Sequence, residues 1–139
     1  MKAPAFSLLN PVSNERVSLE DYKGKPLLLT FWASWCPDSQ IDLDKKAKIQ
    51  QSLEEAGLHL LFINVEGRER NRGDGKQFMD NAPYNVLYVI DDGIATYEAY
   101  RAIGVPTTIL INERGEVSKR FGDKTPFTEI VQHLSPWIR

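Results

Sequence analysis

The chain has 139 residues, 42% of them hydrophobic, which is enough to bury a core without disulfides or metal ions. Its 17 lysines and arginines against 19 aspartates and glutamates leave a formal charge of −2, which gives no electrostatic reason to expect nucleic acid or an anionic membrane as partner. A single cysteine excludes an intramolecular disulfide and any multi-cysteine zinc or iron–sulfur site, and no run of about 18 apolar residues is present to span a bilayer.

Met1–Phe6 lacks the apolar centre of a signal peptide. Phe6–Leu9 and Arg16–Leu19 flank the turn-rich Asn10–Asn14 and predict a β-hairpin at a sheet edge. Pro26–Phe31 is a continuous apolar run without polar alternation, as expected of a strand buried on both faces. From Pro37 to about Ala56 the composition is helical, with an imperfect apolar stripe of Leu43, Ala47, Ile49, Leu53 and Ala56 and with Gly57 as C-terminal cap. Leu58–Val65 follows as a second buried strand, so strand, helix and strand form a βαβ unit with parallel strands and a right-handed crossover.

Glu66–Lys76 mixes three glycines with Arg68, Arg70 and Arg72 and reads as a mobile, solvated loop. A short helix is expected over Gln77–Asn81, a third strand over Val86–Ile90 and another short helix over Ile94–Arg101. Pro106 precedes the β-branched run Thr107–Ile111, and because proline cannot donate within a central strand it should open that strand. Asn112–Gly115 turns the chain into Val117–Phe121, an antiparallel hairpin, and Thr125-Pro126 opens a last helix with Phe127, Ile130, Val131 and Leu134 on one face. With no internal repeat or linker, residues 1–139 are expected to form one domain.

The chemistry concentrates at Phe31–Asp42. Proline is tolerated in a first helical turn, so Pro37 puts Cys36 at the helix N-cap or just before it. There the positive end of the helix favours thiolate over thiol, and the apolar strand becomes a device that delivers a nucleophile. A lone cysteine is more often a small buried hydrophobe. Position speaks against that here, because Trp32 and Trp35 flank a Cys-Pro that is followed by polar Asp38 and Ser39. Trp32 is expected in the core and Trp35 over the site. His59 and His133 fall far from Cys36, so neither a cysteine–histidine pair nor a metal site is expected, and no cofactor is called for.

The segment Trp-Ala-Ser-Trp-Cys-Pro-Asp-Ser resembles the Trp-Cys-x-x-Cys site of thioredoxin-like proteins, most closely the TlpA/ResA group of thiol-disulfide oxidoreductases. Leu19–Lys25 and Gly104-Val105-Pro106-Thr107-Thr108 carry the resemblance across nearly the whole chain. It implies an α/β thioredoxin-like fold, a central mixed β-sheet flanked by helices with an N-terminal β-hairpin extension. It also implies a cis Val105–Pro106 bond beside the cysteine, and a substrate segment lying in extended form against Trp35, Pro37, Val105 and Thr107. The group is typically extracytoplasmic, so a periplasmic or outer-face location is expected, with a leader or anchor ahead of Met1; a cytoplasmic location is the alternative. The expected partner is a protein disulfide or thiol, met by a monomer.

Two positions depart from the family pattern. Ser39 stands where the family has its second, resolving cysteine, and a hydroxyl cannot attack a disulfide sulfur; its expected part is to donate a hydrogen bond to the Cys36 thiolate. Thr30 holds the place of thioredoxin's buried strand aspartate, which leaves Asp42, six positions after Cys36, as the acid the resemblance assigns. Six residues are about one and two-thirds helical turns, so helix geometry alone does not bring Asp42 onto the thiol, and an ordinary solvated carboxylate is the competing expectation. Cys36, Ser39, Asp42 and Pro106 are thus the expected catalytic set. If Ser39 is engineered the parent is a dithiol reductant; if natural, the protein is a monothiol that needs an external thiol for release. Cysteine peroxidases share the fold but carry proline and threonine where this chain has Leu29 and Ala33. A binding module using the Pro106 groove, with Cys36 vestigial, is the non-enzyme alternative.

Overall fold

Every residue of the strand Leu27–Trp32 is buried, and this strand has a neighbour on both sides. In the computed structural model, which describes residues 1–137, the strands are β1 (Ser7–Leu9), β2 (Arg16–Ser18), β3 (Leu27–Trp32), β4 (His59–Asn64), β5 (Tyr88–Ile90), β6 (Thr107–Ile111) and β7 (Val117–Phe121). The helices are α1 (Pro37–Glu55), α2 (Asp74–Asn81), α3 (Ala95–Ala99) and α4 (Phe127–His133). The strands form one mixed sheet in the order β2-β1-β5-β4-β3-β6-β7. β3 runs parallel to β4, from Leu27 opposite His59 to Trp32 opposite Asn64, and antiparallel to β6, where Thr30 faces Thr108.

The two-residue period of β3 divides the core between the two faces of the sheet. Leu27, Leu29 and Phe31 pack with Ile63, Val89, Tyr97 and Tyr100 on the α3 side. Leu28 and Trp32 pack with Leu43, Leu53, Phe62 and Ile130 on the side of α1 and α4. Phe31 meets Tyr97 edge-on at 6.1 Å between ring centroids, an arrangement that aromatic quadrupoles favour. The parallel β3–α1–β4 unit leaves Ala33–Trp35 at the carboxyl edge of the sheet, where open α/β sheets place their sites.

The N-terminal hairpin, the cis Val105–Pro106 bond and the opening of β6 directly after Pro106 agree with expectation. The third strand is shorter than Val86–Ile90: residue pairing with β4 runs over Tyr88–Ile90, and Leu87 adds only its carbonyl, which accepts from Phe62 N. The largest departure is Glu66–Lys76. It is not simply a solvated loop: Glu66–Arg68 is a 3-10 turn, Gly73 takes the left-handed conformation (φ 89°) before α2, and α2 begins at Asp74, three residues ahead of the expected Gln77.

Candidate active site

The chain leaves β3 at Trp32 and reaches α1 through Ala33-Ser34-Trp35. Cys36 is the N-cap, with extended φ −85° and ψ 117°, and Pro37 occupies the first turn, where a missing N–H costs nothing. Cys36 is buried but not sealed, at 8% exposure, and its Sγ donates to the Val105 carbonyl at 3.5 Å. The thiol and the backbone preceding Pro106 therefore share one edge of the molecule. Trp35 is 43% exposed beside the thiol, and its Nε1 donates to Arg68 O at 2.7 Å. Pro37 is exposed, whereas Thr107 is buried, its hydroxyl donating to Gly104 O at 2.6 Å and its backbone paired opposite Phe31 in the sheet.

Ser39 is buried, and its Oγ accepts from the Ala33 N–H at 3.3 Å. Accepting leaves the Ser39 hydroxyl proton free to donate, and the expected donation is to the ionised sulfur, whereas here the Cys36 thiol itself donates to Val105 O. One turn on, Asp42 is also buried, so the solvated-carboxylate expectation fails. The reason lies four residues further along the helix. Lys46 is fully buried, with Nζ 2.9 Å from Asp42 Oδ2, 2.8 Å from Thr30 Oγ1 and 2.7 Å from Thr108 Oγ1. The Asp42 contact is a close charge pair lying off the line of a well-directed hydrogen bond. Burial pushes the Lys46 ammonium below the usual lysine range, and the Asp42 carboxylate pulls it back up. Ser39, Asp42, Leu43, Lys46 and Leu53 are the buried positions of α1, at helical spacing. The apolar stripe looked imperfect because a charge pair occupies two of its places.

A third group was hidden in the expected loop. The Glu69 carboxylate accepts from Ser34 N, Ser34 Oγ and Asn64 Nδ2, each at 2.7 Å. Gln40 Nε2 reaches back to Ser34 O at 2.6 Å, and Arg68 reaches the Tyr97 hydroxyl at 2.9 Å. The segment after β4 thus clamps the loop that carries the cysteine. No local sequence pattern marks Glu69, whose partner Ser34 lies 35 residues away.

A groove of about 440 Å³ beside Pro106 is lined by Asp38, Ile41, Asp42, Lys45, Asp123 and Phe127, among others. Larger hollows of about 520 and 740 Å³ run along the far part of α1 towards Tyr84, away from the thiol. Among the described residues no group of three or more His, Cys, Asp or Glu side chains is placed to hold a metal ion, and no helix is long and apolar enough to cross a membrane.

Residues 1–120 match the AhpC/TSA family. The chain belongs to that family. It is 30% identical over 112 residues to the thiol-disulfide oxidoreductase ResA of Halalkalibacterium halodurans, covering 81% of this chain and 62% of that relative. It is 28% identical over 116 residues to the sporulation thiol-disulfide oxidoreductase A of Bacillus subtilis, covering 84% of this chain and 70% of that one. Among solved structures, the pneumococcal exposed lipoprotein thioredoxin of Streptococcus pneumoniae superposes with a TM-score of 0.82 at 27% identity, over 95% of this chain and 98% of that one. StoA of Bacillus subtilis superposes at 0.70 with 26% identity, over 96% and 97%. The fold is thioredoxin-like.

Proposed function

We propose that the protein is a thiol-disulfide oxidoreductase acting through Cys36, in a single-cysteine form that makes a mixed disulfide and does not resolve it. The observation that carries this reading is the thiol at the N-cap of α1, 3.5 Å from Val105 O and beside Pro106. In the exchange step the Cys36 thiolate attacks one sulfur of a partner disulfide. A mixed disulfide forms, and the partner's second sulfur leaves as a thiolate that takes up a proton. Ionised sulfur loses its S–H donation to Val105 O and is left facing the open amides of the first helical turn. Trp35, Pro37 and the backbone at Val105 take the partner as an extended segment, with Pro106 setting the edge of the groove. Ser39 has no sulfur with which to expel the partner, so release falls to an external thiol.

The relatives named thiol-disulfide oxidoreductases support the reaction class. The exposed lipoprotein among the similar structures supports an extracytoplasmic location. A peroxidase reading lacks support at Leu29 and Ala33. The test compares this protein with Ser39→Cys in dithiothreitol-driven reduction of a protein disulfide. Turnover is expected to rise on restoring the second thiol; equal and negligible turnover by both overturns the oxidoreductase reading. The binding-module reading keeps the groove beside Pro106 with Cys36 vestigial, and it would gain if Cys36→Ala kept all partner binding.

A further inference from the structure

The most unusual group in the molecule is not on the surface. A lysine with no exposed area is rare, because stripping water from an ammonium is costly unless its donors are met. Lys46 meets three oxygens at 2.7, 2.8 and 2.9 Å, and they come from three elements: Thr108 on β6, Thr30 on β3 and Asp42 on α1. An ammonium has three N–H donors; two are directed at the threonine hydroxyls, and the Asp42 carboxylate stands against it as a charge pair. The sheet prepares the place in advance, since Thr30 and Thr108 face one another across the antiparallel β3–β6 pair and present both hydroxyls on the α1 face. The helix supplies the rest, since residues four apart stack on one side and bring Asp42 over Lys46.

These three elements also carry the exchange site. α1 begins at Cys36, β3 feeds the loop before it, and β6 begins directly after Pro106. Asp42 in turn lines the groove beside Pro106.

Resting on the exchange reading above, we propose that Lys46 is a positioning residue of the site: its buried ammonium holds Asp42 as a carboxylate at the groove wall and ties α1 to β3 and β6. The other charges around Asp42 are Asp38 and Lys45 on α1 and Asp123 and Lys124 on the segment between β7 and α4. None of the four has a hydrogen bond or ion pair to Asp42 among the described residues, whereas Lys46 does have the ion pair. Asp42 is therefore held against Lys46 at the groove wall beside Pro106.

Two measurements test this. The first uses the unaltered protein: the 15Nζ and 13Cε chemical shifts of Lys46 at pH 7 should be those of an ammonium, and a neutral amine there overturns the proposal. The second follows the rate at which Cys36 forms a mixed disulfide with uncharged 2,2′-dithiodipyridine from pH 5 to 9. In Lys46→Met the carboxyl is buried without its counter-charge, which favours the neutral acid. The pH–rate profile should then gain an inflection that the unaltered protein lacks and that Lys46→Met/Asp42→Asn loses again. A Lys46→Met profile superimposable on that of the unaltered protein contradicts the proposal, and a purely structural role for Lys46 predicts that result. If Lys46→Met does not fold, the nitrogen shift decides alone. If Cys36 of the unaltered protein forms no mixed disulfide at all, the exchange reading fails while the Lys46 measurement stands.

Discussion

Removing the Glu69 carboxylate should destabilise the fold through the loop that carries the cysteine. Glu69 accepts three hydrogen bonds at 2.7 Å, from Ser34 N, Ser34 Oγ and Asn64 Nδ2. Asn64 is fully buried, and among the described residues its side-chain amide nitrogen has one other partner, a long contact to Trp32 O at 3.4 Å. In Glu69→Ala this donor is stranded at a cost of about 1–3 kcal/mol, and the two half-buried Ser34 bonds, partly recovered by water, add about 0.5 each. The expected loss is therefore about 2–4 kcal/mol. Glu69→Gln behaves differently, because its carboxamide oxygen can still accept from Ser34 N and Asn64 while its NH2 donates to Ser34 Oγ, so the loss is about 1 kcal/mol or less. Urea unfolding followed by tryptophan fluorescence gives both values, and amide exchange at Ser34 should speed up in Glu69→Ala only. A Glu69→Ala loss under about 0.5 kcal/mol, or equal losses for the two variants, would refute the clamp.

Gly75→Ala should destabilise by about 1–3 kcal/mol in the same unfolding assay through overpacking, since an added Cβ falls 2.2 Å from the Asn64 side-chain oxygen. Leu43→Ala, which empties a site with no exposure between α1 and the sheet, should cost about 2–5 kcal/mol by thermal or urea unfolding. At alkaline pH, burial pushes the Tyr22 hydroxyl up to about 12 and raises Tyr100 as well. The unfolded chain ionises first, at about 10, so the stability these groups contribute is complete below that pH and is lost as pH rises towards 12. A pH series of unfolding free energies should fall through this window, and Tyr22→Phe should flatten part of the fall.

Much of the fold is written in local pattern. The unbroken apolar run of β3, the proline at the start of α1 and Pro106 before β6 each act through backbone physics that a sequence displays directly. The cysteine and its place at a helix start were legible for the same reason. Lys46 and Glu69 were not. Lys46 is a charged residue at a core position, so an apolar pattern simply counts it as a gap, and the Thr30–Thr108 pair together with Asp42 explains why it is tolerated. Glu69 sits in a stretch rich in glycine and arginine whose composition suggests solvent, yet it is fixed by Ser34 and Asn64. The burial of Ser39 against the loop, where its Oγ accepts from the Ala33 amide, was not legible either, because it depends on the path of Ala33–Trp35 and not on helix spacing.

The central claim is that Cys36 begins a disulfide exchange that this chain does not finish. Its most direct test is intact-mass analysis of the protein after mixing with a disulfide-bonded peptide and no added thiol. The account predicts one peptide attached at Cys36, stable over time, released by dithiothreitol and not accumulating in Ser39→Cys. No adduct, or an adduct that discharges unaided from the protein with Ser39 in place, would contradict it.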